Sequence, residues 1–226
     1  MDLYDVMRTT FAARDFSNEP VDDATLYRIL DNARFAPSGG NRQGWRVIVV
    51  RDPAKRSALA GLIRPTMRRY LAQVAAGENP WNTIVPTKVD DAAVAAVELP
   101  AGMIERMMQA PVLLLVAVDL RVVASFDSVL PRIGVISGAS IYPFVWNILL
   151  AARNEGLGGT LTTFVAPAEG EVRRMFGLPE SFAAAALLPI GRPLKPLTRL
   201  KRKRVEEFAS LDGFGGPPVR GGAPSR

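Results

Sequence analysis

The 226-residue sequence contains neither cysteine nor histidine. Without Cys, the protein cannot hold disulfide bonds, thiolate metal sites or iron–sulfur clusters, and it has no cysteine nucleophile. Without His, it has no Ser-His-Asp triad and no His-ligated zinc, and it lacks the commonest general base. An enzyme of this composition works with carboxylates, Lys, Tyr or hydroxyl groups, or it lets a cofactor carry the chemistry.

The sequence also lacks a long apolar run. The longest one, Val112 to Val118, is closed by Pro111 and Asp119 and falls far short of the roughly 20 residues that a membrane-spanning helix needs. The first ten residues carry acidic side chains and no apolar region of the kind that a signal peptide has. We therefore expect a soluble, cytoplasmic protein without membrane association, folded around one sizeable core.

Acidic residues are too few to balance the basic ones, since 22 Asp and Glu stand against 28 Lys and Arg, a net charge of +6. Such an excess favours anionic partners: phosphates, nucleic acid or acidic lipids. The densest basic run is KRKR at 201–204. Because Glu206 and Glu207 follow it and no aromatic residue interrupts it, the run fits a solvated face or a phosphate contact better than nucleic-acid binding.

Helical and strand-like patterns alternate along the chain, which indicates an α/β or α+β fold around a mixed sheet. Asp22 and the pair Asp52-Pro53 are typical of helix starts, and the second of these helices is predicted to end near Ile63. The other predicted helices are Ser137–Glu155 and Glu169–Phe176. The predicted strands are Arg46–Val50, Val112–Val118, Leu161–Val165 and Phe182–Pro189.

Two segments depart from this pattern. Residues 64–110 are broken by Gly77, Pro80, Pro86 and Pro100 and show no clear period, so we interpret them as an inserted helical or lid-like region. Residues 209–226 are rich in Gly and Pro and are predicted to form a mobile C-terminal tail that follows a single domain over 1–208.

The loop PSGGNRQGW at 37–45 has a composition that suits a ligand site. Gly39 lets a ligand approach the backbone closely, and Ser38, Asn41 and Gln43 offer donors and acceptors of the kind that the edge of a flavin ring accepts. The same residues also suit a plain turn between a helix and a strand. Taken alone, the composition of the loop favours a plain turn over a ligand site.

Two further clusters are weak signals by themselves. Arg8, Thr9, Thr10 and Arg14 could grip a phosphate, or they could be ordinary residues of a solvated helix. GLGGT followed by Leu161-Thr162-Thr163 could turn backbone donors towards a ligand, or it could be a simple turn. Neither the dinucleotide fingerprint GxGxxG nor the phosphate-binding loop GxxxxGK[ST] occurs.

Taken in order along the chain, these pieces resemble the nitroreductase family of FMN enzymes over most of residues 1–208. RDFSNEPV is similar to the family's R-x-F-x-x-x-P-V, and APSGGNRQGW is similar to its APS-x-x-N-x-Q-x-W. NILLAARNEGLGGTLTTF resembles the long central helix with the strand that follows it, and LPESFAAAALLPIGRP resembles the closing strand that ends in IG-x-P. Four blocks in the correct order are more specific than any one of them.

The resemblance implies an α+β fold with a central, mostly antiparallel sheet flanked by helices, in an intertwined homodimer with FMN at the subunit interface. It places Arg8, Thr9, Thr10 and Arg14 at the FMN phosphate and ribityl chain. It places Pro37, Ser38, Gly39, Asn41 and Gln43 at the flavin, contributed by the partner subunit. Backbone donors of Thr162 and Thr163 would lie near flavin N5, and Arg202, Lys203 or Arg204 would complete the phosphate contact.

The implied activity is transfer of hydride from NADH or NADPH to an electron-poor small molecule, such as a nitroaromatic or a quinone, by a ping-pong mechanism. The chain departs from the family in having Thr10 and Ala12 where R-x-S-x-R has Arg and Ser. Dehalogenation, flavin fragmentation, dehydrogenation and non-catalytic flavin storage remain alternatives. We expect Trp81, Phe126 and Tyr142 to be core residues rather than walls of an acceptor pocket.

Overall fold

The structure is a computed structural model that describes residues 1–197 and 199–221. Two compact units make up the chain, Met1–Pro196 and Leu197–Arg226. The first unit holds the sheet and seven α-helices of the described chain. The helices are α1 (Leu3–Thr9), α2 (Asp23–Ala33), α3 (Pro53–Ala75), α4 (Asp91–Ala95), α5 (Met103–Met108), α6 (Tyr142–Asn154) and α7 (Glu169–Phe176).

The sheet has four strands in the order β1-β2-β4-β3, and every pair of neighbours is antiparallel. The strands are β1 (Trp45–Val49), β2 (Val112–Asp119), β3 (Gly158–Gly159) and β4 (Phe182–Gly191). An α+β fold with a central antiparallel sheet is therefore confirmed. The only parallel pairing in the described ranges is an isolated bridge between Ala12 and Gly159.

Strand β2 is central, and it is buried from Val112 to Val118. Its alternate side chains enter two different cores. Leu114 and Val116 pack with residues of α2 and α6, whereas Leu113 and Leu115 pack with residues of α3 and α5. Burial on both faces explains why the strand is a continuous apolar run rather than an alternating one.

The predicted helix starts are confirmed. The Asp22 carboxylate accepts a hydrogen bond from the backbone N–H of Thr25 (2.6 Å), and Asp52 accepts one from Ala54 (2.8 Å). Helix α3, however, continues to Ala75, twelve residues beyond the predicted end near Ile63. Pro65 removes one helical hydrogen bond, but the helix continues because buried side chains on both sides of it, Ile63 and Met67, pack into the core.

Two other predicted elements differ from the structure. Helix α6 begins at Tyr142, because a short 3-10 helix, Ile136–Ser140, occupies the predicted first turns. The predicted strand over 161–165 is wrong: β3 covers Gly158–Gly159, and Thr162 makes a single bridge to Leu187 before the chain turns. That turn is closed by a hydrogen bond from Ala166 N to Thr163 O (2.9 Å).

The second unit contains a short 3-10 helix, Val205–Glu207, and an isolated bridge between Ser210 and Pro218. Residues 222–226 of the predicted tail lie outside the described residues. Within the part of the chain that the structure describes, no helix is long and apolar enough to cross a membrane.

Candidate functional site

The Gly-rich turn brings the N-terminal segment against the sheet. Ala13 N donates to Gly159 O at 3.0 Å. A Cβ on Gly158 would lie 2.7 Å from Pro193 Cγ, and one on Gly159 would lie 2.8 Å from Pro189 O. These glycines are therefore required by close packing of the chain on itself, and the packing places Arg14 beside the segment after β3.

A pocket of about 390 Å³ opens at this place, and it unites three of the predicted site residues, Arg14, Thr162 and Thr163. The remaining lining residues are mostly apolar and come from α3, from α5 and from the segment after β3, except for Asp15 of the N-terminal segment. They are Asp15, Met67, Tyr70, Leu71, Met103, Arg106, Met107, Thr160, Leu161 and Phe164.

The helical walls of the pocket come from residues 64–110, the segment whose sequence shows no clear period. Helix α3 contributes Met67, Tyr70 and Leu71, and α5 contributes a second set at 103, 106 and 107. Both sets follow the i, i+3, i+4 spacing of one helical face. That spacing is the signal by which these residues could have been found. The Tyr70 and Phe164 rings meet edge to face, with the ring centroids 5.5 Å apart.

Of the two predicted threonines, Thr163 is the better donor. Thr162 is buried, its backbone N–H donates to Leu187 O (3.0 Å), and its hydroxyl accepts from Phe164 N (3.4 Å). Thr163 is exposed in the pocket wall, and its N–H has no hydrogen-bond partner among the described residues. The N–H of Thr163 is therefore available to a ligand, whereas that of Thr162 is already engaged.

Two cations and one anion line the pocket. Arg14 is exposed and donates through Nη1 to Ala12 O at 3.3 Å. The Arg106 guanidinium pairs with the Asp15 carboxylate, Nε to Oδ1, at 2.8 Å, and both side chains are more than half exposed. The site thus has a net positive charge and one exchangeable ion pair.

The other predicted residues of the N-terminal cluster lie outside this pocket. Arg8 is exposed, with its guanidinium carbon 5.6 Å from the centre of the Tyr4 ring. The Thr9 hydroxyl donates to Asp5 O (2.6 Å) and accepts from Arg153 Nε (3.0 Å). The Thr10 hydroxyl is buried and donates to a backbone carbonyl of α1 at 2.7 Å. Both hydroxyl groups are thus engaged in anchoring α1.

The loop at 37–43 is exposed but internally organised. Ser38 Oγ accepts from Gln43 N (3.0 Å), and Gln43 Nε2 donates to Asn41 Oδ1 (3.0 Å). Asn41 and Gln43 both have positive φ, 54° and 50°, a region that Asn tolerates but that is costly for Gln. Pro37 and Gly39 are exposed beside them. None of these residues lines the pocket of Arg14.

The basic run lies in the second unit and is exposed. Arg202 Nη1 donates to Lys201 O (2.8 Å), and Arg204 Nε lies 3.3 Å from a carboxylate oxygen of Glu206. Lys203 is exposed as well. Part of the charge of this run is therefore balanced locally.

Several large apolar residues expected in the core are exposed. Phe126 is 83% exposed, and Trp81 and Tyr142 are 47% and 41% exposed, so the expectation of burial is wrong for all three. Phe126 lies in a segment, 126–135, in which Val129, Ile133 and Val135 are exposed as well. The segment is shaped by buried Asp127, whose Oδ2 accepts from Val135 N and Arg132; these hydrogen bonds lower the pKa of Asp127.

The donor set of the pocket fits FMN. A flat ring system with polar edges requires apolar walls, hydrogen-bond donors and cations for its negative groups. Met67 and Leu71 of α3 provide the walls, Thr163 N–H provides a free donor, and Arg14 provides charge. The described residues contain no cluster of three or more His, Cys, Asp or Glu side chains that could hold a metal ion.

Relatives in sequence extend over most of the chain. Iodotyrosine deiodinase of Thermotoga neapolitana is 25% identical over 205 residues, which are 90% of this chain and 95% of that protein. The 5,6-dimethylbenzimidazole synthase of Rhodospirillum rubrum is 29% identical over 191 residues, with 84% and 82% of the two chains covered.

Solved structures show the same fold. An oxidised iodotyrosine deiodinase bound to FMN and 3-iodo-L-tyrosine has a TM-score of 0.67 at 22% identity, with 94% of this chain and 100% of that one covered. An FMN- and NADPH-dependent nitroreductase from sphigopyxis sp. strain HMH has a TM-score of 0.61 at 23% identity, with 95% and 100% covered. The model of the nitroreductase family matches residues 7–192. The chain therefore belongs to the nitroreductase family.

Proposed function

We propose that the protein is an FMN-dependent oxidoreductase that uses NADH or NADPH to reduce an electron-poor small molecule. The observation that carries the proposal is the pocket in which Arg14, Thr162 and Thr163, predicted as flavin contacts, meet apolar walls from α3 and α5. Bound FMN would supply the hydride chemistry, accepting a hydride from the nicotinamide and passing it to the acceptor.

The residues of the chain would bind and orient rather than act as acids. Arg14, with Arg8, would hold the phosphate and ribityl chain. The phosphate contact expected of Arg202, Lys203 or Arg204 stays a prediction from the sequence. The N–H of Thr163 would donate to the ring edge. Because the chain has no His and no Cys, protons consumed in the reaction would come from solvent.

The remaining flavin contacts would come from a second subunit. The loop residues Pro37, Ser38, Gly39, Asn41 and Gln43 do not line the pocket of Arg14 within one chain. A homodimer can bring the loop of one subunit to the pocket of the other. The exposed apolar side chains of Phe126 and Val129, 83% and 84% exposed, support burial against a partner.

Mixed dimers test the shared site. Arg14→Ala and Asn41→Ala should each lower FMN affinity, because each removes a contact from both sites. Unfolding and refolding the two variants together would produce mixed dimers with one intact site and one doubly altered site. Recovery of tight FMN binding at about half the sites of the mixed dimers, isolated from the two parent dimers, would support the proposal; no recovery in these mixed dimers would contradict it.

The activity is tested by turnover of nitrofurazone, menadione and a halogenated phenol with NADH, NADPH and a reduced deazaflavin. Reduction of the first two with a nicotinamide is the expected result. Preferential dehalogenation would favour the chemistry of the deiodinase relative instead. A flavin that none of the donors reduces would favour storage.

A further inference from the structure

We propose that the pocket selects aromatic acceptors that carry a carboxylate, and that Arg106 is the residue that binds this group. The proposal rests on the proposed function and names its substrate class. Among the residues that the structure describes, Arg106 is the only cation on the helical walls of the pocket, where its neighbours on α5 are Met103 and Met107. A cation between apolar side chains suits a ligand that has a charged group on an apolar body.

Two of the three nitrogens of the Arg106 guanidinium have partners in the free pocket. Its Nε pairs with Asp15 at 2.8 Å, and its Nη1 reaches Ala101 O at 3.3 Å. Its Nη2 has no hydrogen-bond partner within the described residues. A carboxylate accepts two parallel hydrogen bonds from a guanidinium, so a ligand can take the place of Asp15 and engage the free nitrogen as well.

The ion pair with Asp15 is weak enough to be exchanged. The two side chains are 53% and 59% exposed, and exposed ion pairs contribute little because water and salt screen them. Asp15 therefore keeps Arg106 oriented in the free pocket without competing strongly for it. Removing the Asp15 charge should strengthen the binding of an anionic ligand.

The apolar part of the pocket suits an aromatic body. Met103 and Met107 of α5, which flank Arg106, are unbranched and adaptable, and sulfur makes favourable contacts with aromatic rings. The Tyr70 and Phe164 rings, which meet edge to face, add a rigid aromatic surface.

Near-isosteric acceptors test the proposal. With FMN-loaded protein, we would measure kcat/KM for 4-nitrobenzoate and for neutral 4-nitrobenzamide. The proposal predicts that the wild type prefers the benzoate about tenfold or more. The ratio should fall towards one in Arg106→Gln and rise in Asp15→Asn. Arg68→Gln, an exposed cation of α3 outside the pocket, controls for the loss of one charge and should keep the wild-type ratio.

Direct binding of benzoate and benzamide, measured by calorimetry, separates failure of this proposal from failure of the proposed function. If the wild type turns over neither nitro compound but binds benzoate through Arg106, the redox assignment fails and the carboxylate site stands. A ratio that Arg106→Gln and Arg68→Gln leave equally unchanged, in variants with the wild-type melting temperature, would overturn the role of Arg106.

Discussion

The Trp45 ring stacks on the Phe144 ring, with centroids 4.6 Å apart and planes within 3° of each other. The contact fastens the first residue of β1 to α6, directly after the loop at 37–43. Gly39 N also donates to Ser140 Oγ at 3.2 Å, just before α6. The exposed loop is therefore anchored at two points to one segment of the core, which keeps its strained backbone in place.

Phe144→Ala should destabilise the protein by about 3–5 kcal/mol, because it removes a fully packed aromatic ring and leaves a cavity beside Trp45. Urea unfolding measures the change. Tyr27→Ala, a ring that is 71% exposed on α2, should change the free energy of unfolding by only about 0.5 kcal/mol. Equal losses in the two variants would show that the stack does not anchor the loop.

Two glycine substitutions should have opposite effects. Gly159→Ala should destabilise the protein by about 1–3 kcal/mol, because the new Cβ would lie within 3.0 Å of Pro189 O, Ile190 and Leu149. Gly61→Ala should stabilise it by about 0.5–1 kcal/mol, because Gly61 is inside α3 and a Cβ there meets nothing within 4 Å. Thermal unfolding of both variants checks the signs, and a stabilising Gly159→Ala would contradict the packing at β3.

Gln43→Gly should weaken FMN binding without destabilising the fold. The substitution relieves a positive φ of 50°, which costs a residue with a side chain about 1 kcal/mol, so the fold should be as stable or more stable. The affinity for FMN should fall about tenfold, because the side-chain amide is lost. Gln43→Asn keeps an amide and tolerates the same backbone, so its loss of affinity should be smaller. Unchanged FMN affinity in Gln43→Gly would remove this residue from the site.

At acidic pH, the stability of the protein should depend on the ionisation of Asp119. Hydrogen bonds from Arg121 lower the pKa of Asp119 from 3.8 to about 2 in the folded protein. A lowered folded pKa stabilises the protein above pH 3.8, and this stabilisation is lost as the pH falls through 2. Asp119→Asn should therefore be less stable than the wild type at pH 6, and the difference should shrink between pH 4 and pH 2. Urea unfolding at several pH values measures it, and a constant difference would contradict the shift.

Local sequence patterns predicted the elements whose signals are short-range. Asp22 and Asp52 are confirmed as helix caps, because a cap depends on residues within three positions along the chain. Val112–Val118 is confirmed as a buried strand, because burial on both faces leaves a continuous apolar run. Arg14, Thr162 and Thr163 line one pocket, and their contacts with FMN stay a prediction.

The remaining features depend on contacts that are distant in sequence. The continuation of α3 past Pro65 depends on packing of Met67 into the core. Burial of Phe126 was predicted from residue type alone, and its exposure depends on how Asp127 folds the surrounding segment. Arg106 was missed because its pairing with Asp15 joins positions more than ninety residues apart.

The most direct test of FMN binding and reduction is an absorption spectrum of the purified protein, followed by addition of FMN and anaerobic titration with NADPH and NADH. We expect a yellow protein, or a colourless one that takes up FMN, with flavin bands that one of the nucleotides bleaches. A protein that is colourless after incubation with FMN and removal of the unbound flavin would contradict the assignment of the pocket as a flavin site.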